Sequence, residues 1–470
     1  MRSLPGLAPP AALVLALVTP ALPAAGEGPE TSANVAAAAT IRRIYDEALT
    51  SRAAYQNLTE LVNRYPGRLS GSQHLTGAID WAAATLRKLP LDRVATQPVM
   101  VPHWERGEPE AVSLAGPNGP VQLAAAALGG TIATPEGGIS AEVVTVHTEA
   151  ELNQLGVAGL RGKIVFIDAP MNPKTVTTGT AYGEAGWSRN RGPGLAARYG
   201  AVAALTRSLT LAQDDIPHTG NTSFAPGQPK LPAAALSWIA ADRLAQALTA
   251  NSHTQVTVAL HGHWLPDAAA ANLIGEIRGS EHPDQIILVG GHLDSWDIAP
   301  GANDDGAGVV QSIEVLRLFV ATGIRPKHTL RCVLFVNEEN GGRGGQAYAA
   351  QVRASGEKHL LAMETDNGSF QPRGFSLANI NHDVGAKASR WLPLLAPYGI
   401  AFFADGSGGA DVQPLAPLGI PVGELRPDSQ LYFDYHHTRN DTLEHVNPRE
   451  LALGAAALAA VTWLTDEQGL

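Results

Sequence analysis

The sequence predicts an α/β protein, a three-layer sandwich around a mostly parallel central sheet, with a β-rich module inserted into it. Three observations carry that expectation. After "AANLIGEIRG" the chain alternates short apolar β-branched runs with helical stretches, the order that builds parallel sheets. From 112 to 258 the texture changes to short β-rich runs between Gly, Pro and Thr loops. Acidic residues and histidines fall directly after successive apolar runs, where such sheets carry their functional loops.

The first 25 residues place Arg2 before an apolar run at 11–18 and small residues after it, the order of a secretory signal peptide. That run is short and broken by Pro20 and Pro23, so it does not read as a membrane anchor. Nothing else in the chain is long and apolar enough to span a bilayer. The expectation is an exported protein, secreted or periplasmic, free of the membrane after processing.

Residues 26–111 and 259–470 are assigned to one domain and 112–258 to the insert. In the first segment "NVAAAATIRRIYDEALTSRAAYQNLTELVNRY" and "HLTGAIDWAAATLRKL" read as helices and "VATQPVMVPHW" as a strand. In the insert "AEVVTVH" and "GKIVFID" read as strands, "MNPKTVTTGTAYGEAGWSRNRGPG" as a loop and "GLAARYGAVAAL" as helical. Beyond it, the strands "QIILVG", "HTLRCVLFV" and "HLLAME" alternate with helices, and "PRELALGAAALAAVTWL" closes the chain as a helix.

With 45% hydrophobic and 16% charged residues the chain has material for packed cores and does not read as disordered. Lys and Arg number 33 against 44 Asp and Glu, so nucleic acid and anionic membrane are poor partners and a cation is a good one. The lone Cys332 excludes an intrachain disulfide and reads as a buried inert thiol.

The stretch "GGHLDSWDIAPGANDDGAG" at 290–308 crowds His292, Asp294, Asp297, Asp304 and Asp305 among glycines directly after "QIILV". Such charge is costly to bury without a counter-charge. Glu338 and Glu339 follow "RCVLFVN", Asp366 follows "HLLAMET", and "YHHTRNDT" adds His436 and His437. Imidazole and carboxylate ligands suit zinc, and two cations about 3.5–4 Å apart need a bridging carboxylate. The inventory fits two metals, each with one imidazole and one terminal carboxylate, plus a shared Asp. A further carboxylate off the metals would take a proton from water, and adjacent glutamates suit that division. Asp294 is placed to hold the far nitrogen of the His292 ring. Asp305 reads as a helix cap and Asp297 as a turn residue.

The motifs "GGHLDSWDIAPGANDDGAG", "NEENGGRGG", "METDNG" and "HHTRNDT", in that order, resemble the secreted two-zinc exopeptidases of the leucyl aminopeptidase and glutamate carboxypeptidase type. The resemblance covers most of the chain and is nearest to the plasma glutamate carboxypeptidase branch. It implies a zinc-exopeptidase sandwich and two Zn2+ per chain. The first zinc would take His292, Asp304 and Asp366, and the second Asp304, Glu339 and His437, with Glu338 as general base. His437 is preferred to His436 because Thr438 follows it and the D-T pair of Asp441 and Thr442 begins four positions on. The insert with "GKIVFID" resembles a protease-associated domain, and "DGSGGADVQPL" a substrate-side loop, with no role carried onto Asp411.

The implied reaction is hydrolysis of dipeptides or of terminal residues of short peptides, by a protein that also resembles homodimers. An aminopeptidase acting on longer peptides is the alternative, and a non-catalytic, receptor-like binding module is the alternative of another class. A one-zinc cyclase on the same fold is disfavoured because every ligand of the second metal is present. A substrate carboxylate would need a basic partner, for which Arg343 and Arg426 are available.

Overall fold

The apolar runs close into two eight-stranded sheets in the computed structural model, which describes residues 32–470 apart from 117, 380 and 382. The expected signal peptide lies outside the described residues. The first sheet contains β1 (Arg93–Glu105), β2 (His263–Ile277), β3 (His282–His292), β4 (His328–Phe335), β5 (Lys358–Glu364), β6 (Pro372–Ala378), β7 (Phe402–Asp405) and β8 (Val422–Pro427). Their order is β1-β2-β4-β3-β5-β8-β6-β7.

Its centre, β4, β3, β5 and β8, is parallel. The flanks depart from the expected parallel pattern: β1 runs antiparallel to β2, β2 to β4, and β6 to β8. The physical reason at β1 and β2 is the insert. Antiparallel neighbours need no crossover, and their pairing sets Glu105 opposite His263, so the chain leaves and re-enters the sheet at one corner.

Helices α1 (Ser32–Thr50), α2 (Ala53–Arg64), α3 (Gln73–Arg87), α4 (Ala307–Ala321) and α6 (Pro448–Gln468) cover one face, and α5 (Arg343–Ser355) lies on the other. On the larger side Ile41, Leu58, Leu316, Phe319 and Leu458 pack on Ile287, Val289 and Leu334 of the sheet. The alanines from Ala455 to Ala460 are buried, which lets α6 approach α4 closely. Across the sheet Phe335, Tyr348, Val352 and Val412 form a smaller apolar layer. Cys332 lies in β4, fully buried and free, and burial pushes its thiol up.

The second sheet is built wholly between Ala111 and Ala259. It is less purely β than expected. Strands Ile139–Val146, Ile164–Ile167, Ala203–Arg207 and Ala233–Leu236 are mutually parallel, and parallel neighbours need crossovers, here partly helical. The stretch 171–194, expected as a loop, carries helices Thr178–Ala185 and Trp187–Asn190. Ala181 and Ala185 bury against Met171, Leu209, Tyr432 and Phe433, and this tertiary packing overrides the weak helix propensity of the glycines. The expected helix through "GLAARYGAVAAL" stops at Arg198, because Gly200 adopts φ 82° and the chain continues as strand Ala203–Arg207.

Among the described residues no helix is long and apolar enough to cross a membrane. Phe319 is fully buried between α4 and its neighbours. A Phe319→Ala variant should lose about 3–5 kcal/mol of stability through the cavity it leaves. Chemical denaturation would measure that loss, and a change below 1 kcal/mol would contradict this packing.

Candidate metal centre

Parallel strands end at the same side of a sheet, so β3, β4 and β5 deliver their following loops to one crevice. His292 is the last residue of β3 and pairs with Phe335 at the end of β4. Just past β4, Asn337 takes φ 67°, a conformation asparagine tolerates, and turns Glu338 and Glu339 into the crevice. Asp366 lies just past β5, Asp304 on the loop before α4, and His437 after the short helix Tyr432–Tyr435.

The Nε2 atom of His292 lies 3.3 Å from Asp304 Oδ1 and 3.4 Å from Asp366 Oδ1. The Nε2 atom of His437 lies 3.3 Å from Asp304 Oδ2 and 3.2 Å from Glu339 Oε2. Asp304 therefore faces both clusters. His436 also approaches, with Nε2 3.6 Å from Asp304 Oδ2 and its ring stacked on His437 at 3.5 Å. Two groups of donor atoms come close enough to hold one cation each: His292, Asp304 and Asp366, and Asp304, His436 and His437.

The supporting contacts differ from expectation at two aspartates. The Nδ1–H of His292 faces the backbone carbonyl of Asp294 at 3.1 Å, and the Asp294 carboxylate stands 3.8 Å from Nδ1. Its oxygens instead accept the amide N–H groups of Glu338 at 3.1 Å and Glu339 at 3.3 Å. A turn carrying two exposed amides needs an acceptor more than a ring already satisfied by its own loop. Asp297 is no simple turn residue either, because both its oxygens accept from Arg106 at 2.7 Å.

Asp305 accepts from Gly308 N at 2.9 Å, as a cap does, and also from His292 N at 2.9 Å, which ties the loop to β3. Glycine is required at 308: a Cβ there would lie 1.9 Å from the Thr365 carbonyl oxygen and 2.3 Å from Asp305 Oδ1.

Other contributors carry no spacing signal in the sequence. Arg68, fully buried, donates to the carbonyls of Leu293 at 2.7 Å, Pro300 at 2.6 Å and Gly301 at 3.1 Å. The Asp441 carboxylate accepts from the amides of Asn303 at 2.7 Å and Asp304 at 3.0 Å. From the insert, Thr219 O faces His437 Nδ1 at 3.2 Å. Of the basic residues expected for a substrate carboxylate, Arg343 pairs with Asp267 at 2.5 Å and Arg426 with Glu424 at 2.8 Å, and neither lines the metal cleft. The cleft measures about 450 Å³ and is lined by Glu338, Asp366 and His437 together with Tyr182, Arg189, Asn190 and Asn221 of the insert.

The charges in this site oppose one another. Burial, offset in part by His292 and reinforced by Asp366, holds Glu338 well above the usual carboxylate range. Burial and the neighbouring Asp304 do the same for Glu339. Burial also pushes Asp411, whose two oxygens lack partners, up to about 8. His437 is held well below the usual range by burial and by the Arg189 charge, which keeps the ring neutral. Buried atoms without a hydrogen-bond partner include His292 Nε2, Asp304 Oδ2 and Glu339 Oε1. Orphaned donors and acceptors of these types, converging from separate loops, fit divalent zinc as a ligand set.

The sequence model of peptidase family M28 matches residues 272–462. Carboxypeptidase Q of Bos taurus is 35% identical over 414 residues, covering 88% of this chain and 85% of that protein. A solved structure of a peptidase M28 precursor from Shewanella amazonensis SB2B is 35% identical, with TM-score 0.88 over 93% of this chain and 98% of that one. BSAP, a zinc aminopeptidase from Bacillus subtilis, superposes with TM-score 0.64 at 19% identity over 90% of this chain and 97% of its own, a likeness of fold.

Zinc bound to this cluster should stabilise the folded state by mass action, by about 2.7 kcal/mol at a hundredfold excess over Kd. Thermal unfolding of chelator-stripped protein with and without zinc would read this as a raised midpoint. An unchanged midpoint would show that the cluster holds no zinc.

Proposed function

The chain belongs to peptidase family M28 and is a zinc-dependent exopeptidase, and from that premise we propose that it hydrolyses dipeptides or terminal residues of short peptides with two zinc ions and Glu338 as general base. The observation that carries the reading is Asp304, which turns one oxygen toward His292 and the other toward His437, in a cleft that Glu338 also lines. In it, His292, Asp304 and Asp366 would hold the first zinc, and Asp304, Glu339 and His437 the second. When bound, zinc supplies Lewis-acid polarisation of the scissile carbonyl and lowers the pKa of water.

The residues divide the remaining work. Glu338 takes the proton of the attacking water and returns it to the leaving amine, which breaks the peptide bond without net proton loss. Asp294 fixes the turn that aims Glu338, by accepting its backbone N–H. The size preference rests on the insert, read as a protease-associated domain, whose Tyr182, Arg189, Asn190 and Asn221 help to enclose a cleft of about 450 Å³. Export to an extracellular or periplasmic site rests on the N-terminal run described above.

A Glu338→Gln protein should lose kcat by about 10²–10⁴-fold or more while retaining its zinc. Metal analysis alongside turnover checks this, and wild-type turnover at full metal content would remove Glu338 from the role. Turnover of free, N-acetylated and C-amidated dipeptides identifies the recognised terminus. We expect free dipeptides to be cleaved and at least one blocked form to resist, and cleavage of all three alike would refute exopeptidase recognition in this cleft.

A further inference from the structure

We infer that the insert is part of the metal centre: Arg189, His218 and Thr219 position the His436–His437 turn, and the second zinc is held firmly only through them. The inference rests on the two-zinc reading above. It starts from an asymmetry between the two histidine ligands. The ring of His292 is oriented by its own loop, through the Asp294 carbonyl at 3.1 Å. The ring of His437 has no such partner on its own loop. Among the described residues, the acceptor at its Nδ1–H comes from the insert, the Thr219 carbonyl at 3.2 Å, and Arg189 Nη1, 3.2 Å from the same nitrogen, acts on the ring through that carbonyl.

The backbone of the turn is gripped from the same side. His437 takes φ 63°, which L side chains rarely adopt and which surrounding structure must over-determine. Thr219 N–H donates to the His437 carbonyl at 3.0 Å, and His218 Nδ1 faces the His436 carbonyl at 2.8 Å. With Nδ1–H directed at Thr219 O, the free Nε2 of His437 points at Asp304 and Glu339.

The clamp is itself braced. Arg189 Nη1 donates to Thr219 O at 3.3 Å, and its Nη2 to the Tyr182 hydroxyl. The guanidinium lies flat on Gly220, where a Cβ would come within 2.4 Å of its central carbon. Thr219 Oγ1 donates to the Ala127 carbonyl at 2.7 Å, which also accepts from Arg106 at 2.5 Å. Arg106 in turn grips Asp297, on the loop that follows His292 and carries Asp294. The insert thus holds one histidine ligand directly and is anchored to the loop of the other.

The test is zinc content during titration with a chelator, on the full mature chain. Wild type should hold two zinc ions. Arg189→Met and, separately, His218→Ala should release one zinc about 10- to 100-fold more readily while the other keeps its wild-type affinity. Thr178→Ala serves as the comparison, because Thr178 Oγ1 bonds Ser429 O at 2.8 Å across the same two domains without touching the clamp. It should keep both zinc ions.

If Arg189→Met and His218→Ala, whichever fold, retain both ions at wild-type affinity, the inference is overturned. It is equally overturned if Thr178→Ala loses the same zinc in step with its melting temperature, since loosened docking would then account for the loss. A wild-type protein that binds fewer than two ions would overturn the two-zinc reading instead, and so separates the two failures.

Discussion

Asp304 faces His292 through one oxygen and His437 through the other, at 3.3 Å each, and is 5% exposed. A carboxylate that withdrawn from water, beside Asp305, Glu339 and Asp366, is stable only with positive charge and hydrogen-bond donors around it. The protein supplies part of both. Arg68 brings one buried guanidinium to the rear of the site, and backbone amides from Asn303, Asp304, Gly308, Glu338 and Glu339 answer the aspartates that shape the loops. Within the cluster itself, His292 Nε2, Asp304 Oδ2 and Glu339 Oε1 are left without a hydrogen-bond partner. That imbalance is what suits the crevice to a cation.

The fold is arranged around this demand. A parallel sheet centre sends three loop starts to one edge, which concentrates candidate ligands that are far apart in sequence. The aspartates outside the two donor groups act as acceptors for loop backbone: Asp294 for the two glutamates, Asp305 for β3 and α4, and Asp441 for the Asp304 loop. Glycine at 308 is a consequence, since α4 must begin in contact with Thr365 and Asp305. Holding ligands by main-chain contacts leaves their ring and carboxylate faces free for chemistry.

The second sheet makes the site a shared construction. Its residues line the cleft and reach the His436–His437 turn, while the β1–β2 pairing keeps both of its chain connections at one corner of the core. The Arg106 and Asp297 pair fastens that corner to the metal loop. Reading 171–194 as a loop overlooked two short helices there, because their glycine-rich sequence becomes helical only when Ala181 and Ala185 have a partner surface to bury against.

The alternation of apolar runs and the ordered motifs determined, from sequence alone, an α/β class and a set of residues that the structure draws into one crevice. They could do so because strand periodicity is local and because ligand residues must follow strands whose ends coincide. Tertiary structure alone decided how each candidate ligand is held. Nothing in the spacing of His292 and Asp294 distinguishes a carboxylate contact from a carbonyl contact, and the 3.8 Å and 3.1 Å distances do. Nor could spacing join Arg68 to Gly301, or Thr219 to His437, since those partners lie more than two hundred positions apart. Their pairing depends on where whole elements pack, and that depends on the summed burial of many side chains.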